Sequence, residues 1–140
     1  MHKLITTLAL LLALFAVASC QPKDTVNSDS GTVKTKIHRL KADEFYKIST
    51  ETPGIFLDVR TQAEFNQAKL PNAVLMDIYK ADFEQQIHTL PKDEAIYVYC
   101  TVGARSMQAA RLLQKHGFEK IYNLEGGIMD WARYRYPITQ

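Results

Sequence analysis

The stretch Ala95-Ile96-Tyr97-Val98-Tyr99-Cys100-Thr101-Val102-Gly103-Ala104-Arg105-Ser106 decides the fold of this 140-residue chain. Its first five residues form a β-branched and aromatic run entered from the Pro91-Lys92-Asp93 turn, which reads as a buried strand. From Ala104 to His116 the pattern is helical, with Met107, Ala109, Ala110, Leu112 and Leu113 on the packed face and Gly117 placed to stop it. Cys100 therefore lies where a strand ends and a tight loop swings into a helix.

Loop amides and a helix N-terminus point their positive ends into such a junction, so an anion there finds donors without any lysine. A thiolate is such an anion, and the same field pulls the Cys100 thiol below its free value of ~8.5. Gly103 lets the backbone curl round the sulfur, and Arg105 is placed to bring charge to an arriving anion. As core filling, Cys100 alone would be ordinary, but the Gly and Arg-Ser that follow make little sense in that role.

Outward from this loop, strands and helices alternate at short separations, which argues for a parallel α/β sheet. The pattern predicts a strand at Ile37 to Leu40 and a helix at Lys41 to Ile48, then a strand at Ile55 to Val59 after Pro53-Gly54. Thr61 with Glu64 forms a capping box opening a short helix. A strand is expected at Ala73 to Met76 and a helix at Asp82 to Leu90. Loops at the C-terminal ends of parallel strands build sites, so Asp58-Val59-Arg60 should approach Cys100 to Ser106. Asp58 is placed to orient the cysteine loop or Arg105, and Arg60 to pair with Glu64; both are supporting rather than reacting groups. Gly126-Gly127 reads as a turn into the last helix, where Trp131 is packed. Tyr134 and Tyr136 carry no spacing beyond core or rim.

The loop resembles the Cys-x-x-Gly-x-Arg-Ser active-site loop of rhodanese-like sulfurtransferases, with Cys100, Gly103, Arg105 and Ser106 at the fixed positions and Thr101, Val102 and Ala104 between them. Leu57-Asp58-Val59-Arg60, Glu64-Phe65 and Leu70-Pro71-Asn72-Ala73 resemble the first motif of that family. Gly117-Phe118 through Asn123-Leu124-Glu125-Gly126-Gly127 to Trp131 resembles its closing one. The resemblance implies a three-layer α/β sandwich in which helices flank a five-stranded parallel sheet, with the cysteine loop at the C-terminal edge of the central strand. It implies sulfur transfer from thiosulfate or a persulfide to cyanide or a thiol through a Cys100 persulfide, with no cofactor. Two positions depart from the family pattern. Ala68-Lys69-Leu70-Pro71-Asn72-Ala73 lacks the common histidine, and Thr101 and Val102 are uncharged where thiosulfate-preferring members often carry basic residues. Lys69 or Arg105 would have to compensate.

Two rival readings belong to other classes. A related phosphatase class on this fold has a loop one residue longer, wide enough for phosphate oxygens; four residues between Cys100 and Arg105 favour sulfur. A binding module or sulfur carrier without turnover is the other, which an intact loop weighs against. Disulfide exchange lacks a second usable thiol.

The chain opens with Met1-His2-Lys3, a 14-residue apolar run from Leu4 to Val17, and Val17-Ala18-Ser19-Cys20. This is the make-up of a secretory signal, too short for a comfortable span of ~20 residues. Val-Ala-Ser-Cys also resembles a bacterial lipobox, which implies residues 1–19 as signal peptide and acyl lipid, palmitate among it, on Cys20. Gln21 after that cysteine implies an outer-membrane lipoprotein facing the periplasm. Residues 20–36 are polar with Pro22, Ser28, Ser30 and Gly31, and read as a flexible tether of roughly 20–25 Å average reach. Residues 37–140 form one module, expected as a monomer, with enough chain for one core and no internal repeat.

Charge is nearly balanced, with 17 basic and 15 acidic residues, which excludes a nucleic-acid footprint. If Cys20 is lipidated, Cys100 is the one remaining thiol, and His38, His88 and His116 are scattered without ligand spacing. No zinc or iron–sulfur site is expected, and all three histidines read as surface residues, His116 favourably at its helix C-terminus.

Overall fold

Strand β4 (Ala95–Tyr99) is buried along its whole length and carries the sheet. Its side chains alternate with period two: Ile96, Val98 and then Cys100 face one hydrophobic cluster, Ala95, Tyr97 and Tyr99 the other, as a strand covered on both faces must. The computed structural model describes residues 35–140. Expectations about the signal peptide, Cys20 and residues 20–34 lie outside the described residues.

The remaining elements follow in chain order: β1 (Ile37–Leu40), α1 (Ala42–Glu51), β2 (Gly54–Asp58), α2 (Gln62–Gln67), β3 (Val74–Leu75), α3 (Phe83–Ile87), α4 (Ala104–Lys115), β5 (Lys120–Leu124) and α5 (Gly127–Arg133). The sheet has five strands, all parallel, in the order β1-β5-β4-β2-β3. Leu113, Ala109 and Ala110 of α4 pack with Phe83 and Ile87 of α3 on one face. Phe45 of α1 and Trp131 of α5 pack on Tyr97 and Leu124 of the other. The parallel sheet expected from the alternation, and the five-stranded sandwich that the family resemblance implies, are the observed architecture.

Two elements are shorter than their apolar patterns suggest. β3 holds only Val74 and Leu75, because the chain leaves the sheet once Met76 N–H has reached the Asp58 carbonyl at 2.9 Å. α3 ends at Ile87, where His88, Thr89 and Leu90 close tight i→i−3 turns on Gln85, Gln86 and Ile87 ahead of Pro91. α1 is longer, reaching Glu51, and the Tyr97 hydroxyl, seated under its end, donates to the Thr52 carbonyl at 2.7 Å. Burial, then the neighbouring Tyr122, push that hydroxyl up to about 12, so it stays a neutral donor. On α4, Met107 and Leu112 are half-buried; the inward side of its first turn is Ser106, wholly buried.

Candidate active site

Cys100 leaves β4 at the C-terminal edge of the sheet and is 1% exposed. The next residues fold back over it. Gly103, the N-cap of α4, has φ +95°, and its amide donates to Cys100 Sγ at 3.1 Å. A Cβ at Gly103 would lie 1.8 Å from the Glu125 carbonyl oxygen, so only glycine fits this turn. From the other side the chain after β5 locks the loop: Ile128 N–H donates to the Cys100 carbonyl at 2.8 Å and Met129 N–H to that of Thr101 at 3.2 Å. Gly127, at φ +61°, permits this approach, since a Cβ there would lie 2.3 Å from the Thr101 oxygen.

Burial pushes the Cys100 thiol up. The Ser106 hydroxyl and the amides of Ser106, Val102 and Gly103 oppose it and prevail, so the thiol is held below its ordinary value. The loop's own dipoles lead this effect, and the nearby Arg105 charge interacts with the sulfur as well. The Gly103 carbonyl, 3.1 Å from Ser106 Oγ, is the alternative acceptor for that hydroxyl's one proton.

Asp58 and Arg60 approach the loop as expected but pair differently. Arg60 does not reach Glu64. Its guanidinium folds back to donate Nε to Asp58 Oδ1 at 2.9 Å and Nη2 to Oδ2 and to the Ala68 carbonyl, both at 2.6 Å. Both partners are buried, with side chains 5% and 0% exposed, so each charge needs the other. Asp58 therefore orients neither the cysteine nor Arg105. Burial lowers the Arg60 pKa, and hydrogen bonding and charge from Asp58 override it, leaving the group raised and charged. Its guanidinium carbon lies 5.6 Å over the Tyr99 ring, and the Tyr99 hydroxyl accepts from Leu70 N–H at 3.1 Å. These contacts tie the segment 58–70 to β4.

Arg105 is held instead by Glu64: Nη1 donates to Oε2 at 2.8 Å and Nη2 to Oε1 at 2.6 Å. Thr101 Oγ1 donates to Glu64 Oε1 at 2.7 Å and accepts from Arg105 at 2.8 Å. Hydrogen bonding from Arg105 sets the Glu64 carboxyl well below the usual carboxylate range. Glu64 also completes the expected capping box with Thr61. The box was legible at i and i+3; the second task of the same carboxylate was not, because Arg105 lies 41 residues away. Arg105 is thus no free cation for an arriving anion, and Lys69, whose ammonium sits 5.0 Å from the Phe65 ring centre, does not reach the loop's hydrogen-bond network.

Val102 is 63% exposed at the tip of the loop, and Ala104 is exposed beside it. On the Thr101 side the loop borders a cavity of about 300 Å³ between α2 and α5. Nothing in the sequence marked this space, since its wall comes from four separate segments. Among the described residues no group of acidic, histidine or cysteine side chains is arranged to hold a metal ion. The histidines are less scattered than their spacing implies. His88 and His116 meet edge to face, ring centres 4.5 Å apart, and His116 reaches Glu84 at 2.8 Å; this cluster ties α3 to α4.

A family model described as the rhodanese-like domain matches residues 41–134. A protein named sulfurtransferase from Allochromatium vinosum is 37% identical over 104 residues, 74% of this chain and 95% of that one. A tRNA uridine(34) hydroxylase from Cronobacter sakazakii is 31% identical over 98 residues, but only 28% of its length is matched. Among solved structures, the rhodanese-like domain of an Anabaena protein aligns with a TM-score of 0.65 at 28% identity, covering 74% of this chain and 80% of that one. A rhodanese-related protein from Thermoplasma volcanium gives a TM-score of 0.64 at 25% identity, over 73% and 97% respectively. With the sheet order, the cysteine loop and these likenesses in agreement, the chain belongs to the rhodanese-like domain family.

Proposed function

We propose that the protein is a sulfurtransferase that carries a sulfane sulfur on Cys100, taking it from thiosulfate or a persulfide and passing it to a thiol, or to cyanide in an assay. The observation that carries this reading is the Gly103 amide 3.1 Å from Sγ, inside a loop whose dipoles hold the thiol below its ordinary pKa. A thiolate so formed attacks the outer sulfur of the donor, and the inner group leaves with the electron pair of the broken bond. The acceptor then attacks the terminal sulfur and Cys100 leaves as thiolate, stabilised again by the same amides. The scheme uses no general base, because the lowered thiol pKa raises the fraction of reactive thiolate.

The commitment of Arg105 to Glu64 weighs against the phosphatase reading, which needs that guanidinium for phosphate oxygens. Thiocyanate formation from cyanide separates an enzyme from a carrier. Many equivalents per Cys100 are expected; one equivalent and then none would make the protein a carrier, and none at all from thiosulfate or a persulfide would contradict sulfur transfer. We further propose that Cys20 bears the lipid and holds the domain on the periplasmic side of the cell envelope. The sequence Val17-Ala18-Ser19-Cys20 supports this, and a mature mass lacking residues 1–19 and carrying acyl chains is its test. Among the described residues no helix is long and apolar enough to cross a membrane.

A further inference from the structure

Residues 135–140 lie beyond the stretch 41–134 that the rhodanese-like family model matches, yet they are tied down at almost every step. Arg135, at φ +57°, takes the left-handed turn that ends α5, its amide donating to the Ala132 carbonyl at 3.0 Å. Tyr136 then stacks on Tyr46 of α1, ring centres 4.2 Å apart and planes 9° from parallel. The Pro137 carbonyl accepts from the buried Trp131 indole N–H at 2.9 Å. Ile138 forms part of the wall of the cavity between α2 and α5. Thr139 and Lys69 exchange both backbone hydrogen bonds, N–H to carbonyl at 2.8 Å each way, as a closed antiparallel pair does. These contacts make a strap from the end of α5 to the segment that follows α2.

The two elements so joined grip the cysteine loop separately. From α2, Glu64 holds Arg105 and the Thr101 hydroxyl. From α5, the amides of Ile128 and Met129 hold the Cys100 and Thr101 carbonyls. Lys69 itself lies between two further ties, since the Ala68 carbonyl accepts from Arg60 and the Leu70 amide donates to the hydroxyl of Tyr99, the residue before Cys100. Between the two grips lies the cavity of about 300 Å³, a gap that packed side chains do not fill and that the strap spans. Donors aimed at a reacting atom work only while their supports hold them to within about 0.5 Å.

We infer that residues 135–140 are a positioning strap: by tying α5 to the segment after α2 they keep the loop amides aimed at Cys100 Sγ, and so set the reactivity of the thiol. The inference concerns the sulfur itself and holds for any donor, so it stands apart from the sulfur-transfer reading. Thr139 and Lys69 act through their backbones, Tyr136 and Ile138 through their side chains, and none of them reacts. Without the strap the two grips are free to shift relative to each other. The amides of Val102, Gly103 and Ser106 then drift from Sγ, and the burial that disfavours the thiolate is less opposed.

The test is the pH profile of alkylation by iodoacetamide, read at Cys100 by peptide mass, in the full chain, in Thr139→Pro and in a chain ending at Tyr136. Thr139→Pro removes one backbone donor at an exposed position, and the shortened chain lacks Pro137 to Gln140, all exposed. Each protein is read below its own thermal transition. Both variants should be alkylated about three- to tenfold more slowly at pH 7, with the midpoint of the profile about half to one unit higher and rates that converge on wild type well above pH 9. Amide hydrogen exchange at Ile128 and Met129 should quicken by a larger factor than at Val98 in β4. Profiles that overlay wild type in both variants, with only the melting temperature lowered, would make the strap a structural clasp and overturn the inference. A loss uniform across pH would also overturn it, as would faster alkylation at pH 7, which would make the strap a cover over the sulfur.

Discussion

The carboxylate of Glu64 grips the guanidinium of Arg105 with both oxygens, at 2.6 and 2.8 Å, across 41 residues of sequence. This fork joins the first turn of α2 to the first turn of α4 and closes the cysteine loop from outside. Glu64 is ionised in the folded state well below its unfolded pKa of ~4.3. A depressed carboxyl contributes stability above the unfolded value and loses it as pH falls through and below that value. Urea unfolding of Glu64→Gln at pH 7 should show a loss of about 1–2 kcal/mol, allowing for solvent at the carboxylate edge. Between about pH 5 and pH 3 the wild type should lose stability faster than the variant. Parallel acid limbs for the two proteins would show the fork to be unimportant.

The buried Asp58–Arg60 pair makes a sharper demand. Removing the carboxylate in Asp58→Ala strands a guanidinium whose side chain is 5% exposed, at a cost of about 3–5 kcal/mol. Denaturant melts should show this loss, and replacing both residues together should cost less than the two single changes added.

Gly103 tests the loop itself. Gly103→Ala places a methyl where the Glu125 carbonyl sits and asks an L residue to hold φ +95°. At least about 2 kcal/mol of stability should go. Thiol alkylation should also slow at neutral pH, because the Gly103 amide withdraws from Sγ. Unchanged alkylation kinetics in a folded variant would mean that this amide does not tune the sulfur.

Ser106 separates electrostatics from packing. Its hydroxyl is one of the groups holding the Cys100 thiol below its ordinary value, so Ser106→Ala should raise the apparent pKa of alkylation. The variant's reactivity at pH 7 should fall about three- to tenfold, while rates well above pH 9 converge with wild type. A uniform loss at all pH values would point to altered packing instead.

Much of the fold could be read from local pattern. The apolar run from Ala95 to Tyr99 and the capping box at Thr61 and Glu64 act within a few residues, and each appears where expected, as do the turns at Gly103 and Gly127. What escaped was set by distance in sequence. Arg60 had two carboxylates within four residues, and spacing alone suited Glu64; burial decided for Asp58, because the chain turns Arg60 inward against Tyr99. Glu64 then became available to Arg105. The ends of α3 and β3 differ from expectation for a related reason: Leu90 and Met76 are apolar and packed, yet lie outside the helix and the strand, so hydrophobicity marked burial and not backbone conformation. The cavity left no sequence signal, as its wall is assembled from the segment round α2, Thr101 of the cysteine loop, α5 and Ile138.

The central claim is that Cys100 carries transferred sulfur, and intact mass tests it most directly. The chain would be incubated with thiosulfate and separately with an organic persulfide, with Cys100→Ser beside it, then treated with cyanide. The account predicts a gain of one sulfur atom on the wild type from at least one donor, its absence in the variant, and its removal by cyanide. A wild type that gains no sulfur from either donor, or a Cys100→Ser variant that gains as much, would contradict it.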